Sequence, residues 1–447
     1  MGRSGSTLIL LVAALGLGGY LYFVDSKRPV DDPNAKPKVF TYDAEKINQL
    51  QVKSDTGEVT SLRKDTSGNW TIVAPSQATA DRNSVTEIVT SVATLEETRV
   101  VEENAADLKV YGLGEPRIDV TFHVEGEMEP RRVLFGDKNP TGMGLYAKLA
   151  SSNRVFLVAN SLDATLNKSS FDFRDKTALK FEQDKVDSIE LTSATHTIRI
   201  EKDGTDWKIV KPVQAPADFV SVNGLLGQLQ SAQMTALKDR PEDLKDLRQY
   251  GLDKPETVAT IGMGASTMKL EIGRTADPGS VWARDPARPA VFSVNNGVAE
   301  ELKKTPQDLR RKEIFDFRPF NTTRFEMLTG KETRAYERVK GTGDNAVDTW
   351  KQVAQAEKTV DASALEGALL EFSNLRADSF VERAPAGGAS GPTTVIAVKF
   401  EDGKKDERVT ITVSGGSAFA TRPDQPGALK FEAGKFDAAM KKLDALK

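Results

Sequence analysis

The stretch NWTIVAPSQATAD, Asn69 to Asp81, returns as DWKIVKPVQAPAD, Asp206 to Asp218. Trp70, Ile72, Val73, Pro75, Ala80 and Asp81 each find their match 137 positions later, at Trp207, Ile209, Val210, Pro212, Ala217 and Asp218. A third, degenerate copy keeps Trp350, Val353 and Asp361, 143 residues beyond Trp207, Val210 and Asp218, and puts Gln355 where the proline stood. A period of about 140 residues exceeds that of solenoid repeats and matches the size of a small domain. The chain therefore reads as three tandem versions of one scaffold.

Within each copy the tryptophan follows turn residues, Gly68 and Asn69 in the first and Gly204 to Asp206 in the second, which is hairpin punctuation. Alternation of Trp70 with Ile72, and of Trp207 with Ile209, is the period-2 pattern of a half-buried strand. Strand-like segments precede it, with Ile47, Leu50 and Val52 in the first copy and Val186, Ile189 and Leu191 in the second. After it comes a helix with Asp81 as N-cap and Val85, Ile88, Val89, Val92 and Leu95 at spacings of three and four. Asp218 leads Val222, Leu225, Leu226 and Leu229, and Asp361 leads Leu365, Ala368, Leu369 and Phe372. Each copy thus predicts one apolar helical stripe.

A tight turn follows, Tyr111, Gly112, Leu113 and Pro116, matched by Tyr250, Gly251, Leu252 and Pro255. The third copy carries instead Ala384 to Pro392, APAGGASGP, read as a flexible loop. Alternating segments such as Val120, Phe122 and Val124 come next, then Val133 to Gly136 with its counterpart Leu270 to Gly273. An aromatic residue followed by alanine survives in all copies: Tyr146 and Ala147, Trp282 and Ala283, Phe419 and Ala420. A short second helix closes each unit, and Phe171, Asp172, Phe173 and Arg174 recur as Phe315 to Arg318, read as an inter-repeat clasp. The predicted class is α+β: three tandem repeats, each a mainly antiparallel sheet packed by one longer and one short helix. Predicted boundaries are 39–178, 179–320 and 321–447.

At 447 residues with 39% apolar content the chain exceeds what one core sustains, as the repeats require. A formal charge of −4 leaves no electrostatic footprint for nucleic acid. With no cysteine, thiolate chemistry, disulfides and cysteine zinc sites are excluded. Thr7 to Val24 is an unbroken uncharged run, about 27 Å long as a helix. It continues apolar past any small-residue cleavage site and is read as an uncleaved transmembrane signal anchor over 1–24. A proline-rich linker, 25–38, follows. The expected topology is single-pass in the cytoplasmic (inner) membrane, with the repeats on the periplasmic, extracytoplasmic side.

The W-x-I-V-x-P strand, the Ala-Asp helix start and the Y-G-L-x-x-P turn together resemble the bacterial family DUF4340, a domain of unknown function. The resemblance covers Val39 to about Phe320 well and the remainder weakly. It implies a membrane-anchored extracytoplasmic protein associated with an ABC transporter of the gliding-motility auxiliary type. No catalytic residue comes with the family.

The residues themselves offer little chemistry. His123 alternates with Phe122 and Val124 and is expected to face solvent, while His196 is expected at a hairpin tip. Two histidines 73 residues apart without cysteine make no zinc site or triad. The tryptophans are expected as buried anchors, with sugar stacking as the competing use. Paired acids such as Asp31 and Asp32, Glu96 and Glu97, or Glu102 and Glu103 are expected to be solvated, because sequence neighbours need not converge on one substrate atom. Gly262, Met263 and Gly264 lack the third glycine of a dinucleotide loop, and the sequon Asn167 to Ser169 carries no weight. Neither catalytic residues, cofactor nor metal is expected. The expectation is a non-enzymatic accessory or scaffold subunit of an ABC-type transport or gliding-motility-like envelope complex. An envelope glycan-binding protein or glycan hydrolase is the alternative.

Overall fold

The structure, a computed structural model, describes residues 36–341, 347–353, 358–385 and 393–446. The expected anchor, most of the linker, Gln355 and residues 386–392 of the third-copy loop lie outside the described residues. Among the described residues no helix is long and apolar enough to cross a membrane. The chain divides into two compact units, Met1–Asp175 and Lys176–Lys447.

The first unit holds one nine-stranded antiparallel sheet, built from β1 (Ile47–Lys53), β2 (Val59–Lys64), β3 (Trp70–Ala74), β4 (Ala78–Thr79), β5 (Arg99–Glu102), β6 (Ile118–Val124), β7 (Arg131–Lys138), β8 (Gly144–Leu149) and β9 (Val155–Ala159). Their order is β4-β3-β2-β1-β6-β7-β8-β9-β5. The chain walks outward from the centre along β1 to β4 and then forms the helix Arg82–Ala93. It lands at the far edge as β5, re-enters beside β1 as β6, and walks back. Two further sheets with the same strand order make up the second unit.

Alternation fixes the register, since a slip of one residue would turn every apolar side chain to the wrong face. Leu50 sits between Leu62 and Phe122, Ile189 between Ile200 and Ile261, and Phe325 between Tyr336 and Val398. The predicted helical stripes pack onto these faces. Val85, Ile88, Val89 and Val92 are buried in the first copy, Val222, Leu225, Leu226 and Leu229 in the second, and Leu365, Ala368, Leu369 and Phe372 in the third. Asp81, Asp218 and Asp361 each accept a hydrogen bond from the backbone N–H three residues on, which is worth about 1 kcal/mol apiece. Trp70, Trp207 and Trp350 are buried. Ala74–Pro75 and Lys211–Pro212, at equivalent positions, are cis.

The joins differ from the sequence reading. Each copy begins with a segment that bridges to the stretch after its long helix: Lys38 to Glu96, Thr177 to Gln233, and Glu313 to Arg376. Repeats 2 and 3 therefore begin before residues 179 and 321. Aligned on these bridges, Phe315 to Arg318 is the counterpart of Leu179 to Glu182, a leading segment, whereas Phe171 to Arg174 closes repeat 1. The true counterpart of that closing segment is Gln307 to Arg310. Ser169 and Thr305 head matching capping boxes with Asp172 and Asp308, and Phe173 and Leu309 are both buried. The two Phe-Asp-Phe-Arg runs are thus not one repeated clasp. The third copy also departs from the long-plus-short helix pattern, because its final helix, Ala433–Asp444, has 12 residues, as many as Ala362–Ser373.

The Tyr-Gly-Leu turn leaves a packing mark. Gly112 and Gly251 have φ of +68° and +70°, where a side chain is strained. The turn presses onto a strand glycine: a Cβ on Gly136 would stand 2.1 Å from the Tyr111 carbonyl oxygen, and one on Gly273 2.2 Å from that of Tyr250. Tyr111 meets Tyr146 at 5.0 Å between ring centroids, and Tyr250 meets Trp282 at 4.9 Å. The aromatic-alanine pair is therefore the partner of the turn. In the third copy, whose sequence lacks the Tyr-Gly-Leu motif, the register of Ile411 opposite Ala420 places Thr412 where the glycine stood.

Candidate functional site

The residues singled out for chemistry take structural roles. His123, half-buried on β6 opposite Gln49, has its Nδ1 shut away from solvent without a hydrogen-bond partner, which corrects the expectation that it faces water. His196 is at the hairpin tip as expected, its Nδ1 2.9 Å from Thr195 Oγ1. Glu97 is buried, contrary to expectation, and receives two hydrogen bonds from Arg154, at 2.6 and 3.0 Å. The same guanidinium binds Glu103 at 3.0 Å, and Glu102 accepts from the Tyr111 hydroxyl at 2.9 Å. Asp31 and Asp32 lie outside the described residues. Gly262 to Gly264 ends one strand of a hairpin. Ser169 of the sequon heads a capping box. Among the described residues no group of three His, Asp or Glu side chains is placed to hold a metal ion.

What distinguishes one copy from the others is a latch. In each repeat a cation stands opposite the tryptophan in the strand pairing: Lys64 opposite Trp70, Lys202 opposite Trp207, Arg338 opposite Trp350. In the first copy the Lys64 ammonium crosses to the leading 3-10 turn Ala44–Lys46, donating to the Glu45 carbonyl at 2.9 Å and to its carboxylate at 2.8 Å. In the third, Arg338 donates to the carbonyls of Pro319 at 2.7 Å and Thr322 at 3.0 Å and to Glu366 at 2.8 Å, while lying 4.8 Å over the Trp350 ring.

In the second copy the latch is open. Lys202 lies 5.7 Å over the Trp207 ring and, among the described residues, makes no ion pair. Asp184, at the position of Glu45 in the equivalent 3-10 turn, likewise has no ion-pair partner among the described residues. The position of Glu366 is held by Asn223, which accepts from Gln183 at 3.1 Å instead. Asp184 is one methylene shorter than Glu45, and Asn223 is an amide where Glu366 is a carboxylate. The result is a groove of about 760 Å³ lined by Asp184, Lys202, Trp207, Phe219, Asn223 and their neighbours, within the size range of ligand sites.

Phe219 and Val220, in the first turn of the helix after Asp218, rise from the edge of this groove and are 58% and 77% exposed. The corresponding residues are Arg82 and Asn83 in the first copy and Ala362 and Ser363 in the third. On their other side a second cleft, of about 540 Å³, runs between the second and third repeats, bordered by Asp206, Lys208, Arg311 and Asp316. Phe219 thus stands between the two clefts, and Val220 borders the second. Sequence reading missed this pair, although two large apolar residues at a helix start whose other copies are polar or small were visible in the alignment of the repeats.

No curated protein matches the chain. A solved structure, the DNA polymerase sliding clamp from Pseudomonas aeruginosa with ligand, aligns over 88% of this chain and 94% of its own at 10% identity with a TM-score of 0.16, a similarity too low to inform either fold or function. The family described as "Domain of unknown function (DUF4340)" matches residues 70–209 and 207–394. These matches span the first tryptophan strand to the start of the strand Thr394–Phe400, and the chain belongs to the DUF4340 family.

Proposed function

We propose that this protein is a non-enzymatic docking subunit, tethered by its amino-terminal segment to the extracytoplasmic side of the inner membrane. In this reading it serves an ABC-type transport or gliding-motility-like complex. The observation that carries the docking role is the Phe219–Val220 pair. An exposed aromatic-aliphatic pair beside clefts that carry charged side chains, Lys202, Asp206 and Lys208 among them, has the composition of an interface anchor with its rim. The buried acids Glu97, Asp285 and Glu407 support the non-enzymatic reading, since each is held by an arginine within the fold. Arg422, for example, binds Asp316 at 2.9 Å, Glu407 at 3.2 Å and Asp424 at 2.9 Å. Purification of the tagged full chain from native membranes tests the proposal: subunits of an ABC-type complex are expected to co-purify with the parent and to be lost from a Phe219→Ser, Val220→Ser variant. Co-purification that is unaffected by the double substitution, or that contains no transporter subunit, contradicts it.

A further inference from the structure

The same latch is built three times and closed twice, so the open copy points to a ligand that takes the latch's place. The carboxylates of the closed pairs, Glu45 and Glu366, are exposed, and an ion pair with a solvated partner contributes only about 0–1 kcal/mol, so leaving it unmade costs little and frees a cation and a carboxylate for another molecule. Those two charges and the Phe219 ring line one groove.

We propose that the groove of the second repeat docks an extended peptide segment of a protein partner, one that carries an acidic side chain beside an apolar one. The peptide carboxylate pairs with Lys202, where Glu45 and Glu366 pair with the equivalent cations of the other copies. Its apolar side chain packs on Phe219, and Asp184 accepts from backbone N–H groups of the peptide. A sugar fits less well, because it stacks on an open aromatic face, whereas Trp207 is buried and covered by Lys202, and aliphatic Val220 beside Phe219 adds no second ring. The inference rests on the reading of the protein as a docking subunit and is independent of which complex it serves.

The other repeats supply the variants that close the groove. Asp184→Glu recreates the Glu45–Lys64 pair, and Asn223→Glu places a carboxylate where Glu366 holds Arg338. Isothermal titration calorimetry on the full chain in detergent would use three probes: the capped peptide GFDLG, its charge-reversed form GFKLG, and chitotriose. Binding of GFDLG is expected, with GFKLG at least tenfold weaker and chitotriose silent. Asp184→Glu, Asn223→Glu and Lys202→Glu are each expected to weaken GFDLG at least tenfold with the melting temperature of the first two unchanged or raised. The proposal is overturned if GFDLG fails to bind the parent, if GFKLG binds equally well, if chitotriose binds in place of the peptide, or if Asp184→Glu and Asn223→Glu, still folded, bind GFDLG as the parent does. Loss of peptide binding with membrane co-purification intact would refute the groove alone. The reverse pattern would refute the choice of complex alone.

Discussion

Replacing Gly136 by alanine puts a methyl group where the Tyr111 carbonyl already is. The Cβ would stand 2.1 Å from that oxygen and 3.0 Å from Leu113 Cγ. Ordinary non-bonded carbon contacts lie near 3.5–4.0 Å, so backbone must move by about 1 Å. The turn cannot yield freely: Gly112 N–H donates to Lys109 at 3.0 Å, Leu113 N–H to Leu108 at 2.9 Å, and Leu113 is buried. Overpacking of this kind costs about 1–3 kcal/mol, and displacement of Tyr111 from Tyr146 adds about 0.5–1.5 kcal/mol, for a total of about 1.5–4.5 kcal/mol. Three repeats do not melt as one two-state unit, so hydrogen exchange read peptide by peptide across residues 99–149 is the appropriate assay. Gly136→Ala is expected to lower protection of β7 and β8 by that amount, and Gly273→Ala to do the same around Trp282. If Gly136→Ala keeps protection within about 0.5 kcal/mol of the parent, the lock between turn and strand is not what holds this face.

Trp70→Ala and Trp207→Ala are expected to destabilise their own repeats by about 3–5 kcal/mol, measured by denaturant titration with the same peptide-resolved exchange. Unchanged stability would remove the tryptophans from the core account. Lys148 is 6% exposed and faces Leu134, where the second repeat pairs Arg284 with Glu271. Burial lowers its pKa, so Lys148→Met is expected to stabilise the first repeat, by about 1 kcal/mol on the scale of buried polar groups; a loss of stability would contradict this. The hydrogen bond from Arg422 holds the Asp424 carboxyl below the usual range. A carboxylate whose pKa is lower folded than unfolded adds stability above pH about 4, and this is lost as pH falls through the lowered value. Asp424→Asn should therefore flatten the acid limb of third-repeat stability, and an unchanged limb would exclude this carboxylate. Intact mass of the membrane-extracted protein should include residues 1–24, and a mature form that begins near Asp25 would rule out the anchor.

Much of the fold was legible because its signals are local. A cap reaches three residues and a stripe repeats every three or four, so Asp218 and Val222 through Leu229 announce their helix without tertiary help. Strand alternation around Trp207 is equally short-range. Junctions were misread because Phe-Asp-Phe-Arg repeats as letters in two places whose hydrogen bonding differs. Only the bridges of Thr177 and Glu313 reveal which segment is which. The purpose of Gly136 and Gly273 was hidden for the same reason, since each answers to a turn over 20 residues away in sequence. Still less visible was the groove, which depends on Asp184, Lys202 and Asn223 failing to make a contact that Glu45 and Lys64 make. Comparison of the copies position by position carries that signal, but only once the sheet register has shown which lysine corresponds to which.

The docking role is tested most directly by a photo-crosslinking residue, p-benzoylphenylalanine, placed at Phe219 in cells, with the equivalent first-turn position Arg82 as control. Irradiation is expected to join the position-219 protein to a subunit of an ABC-type membrane complex, identified by mass spectrometry, with no such adduct from position 82. Adducts of equal yield from both positions, or none from 219, would contradict the account.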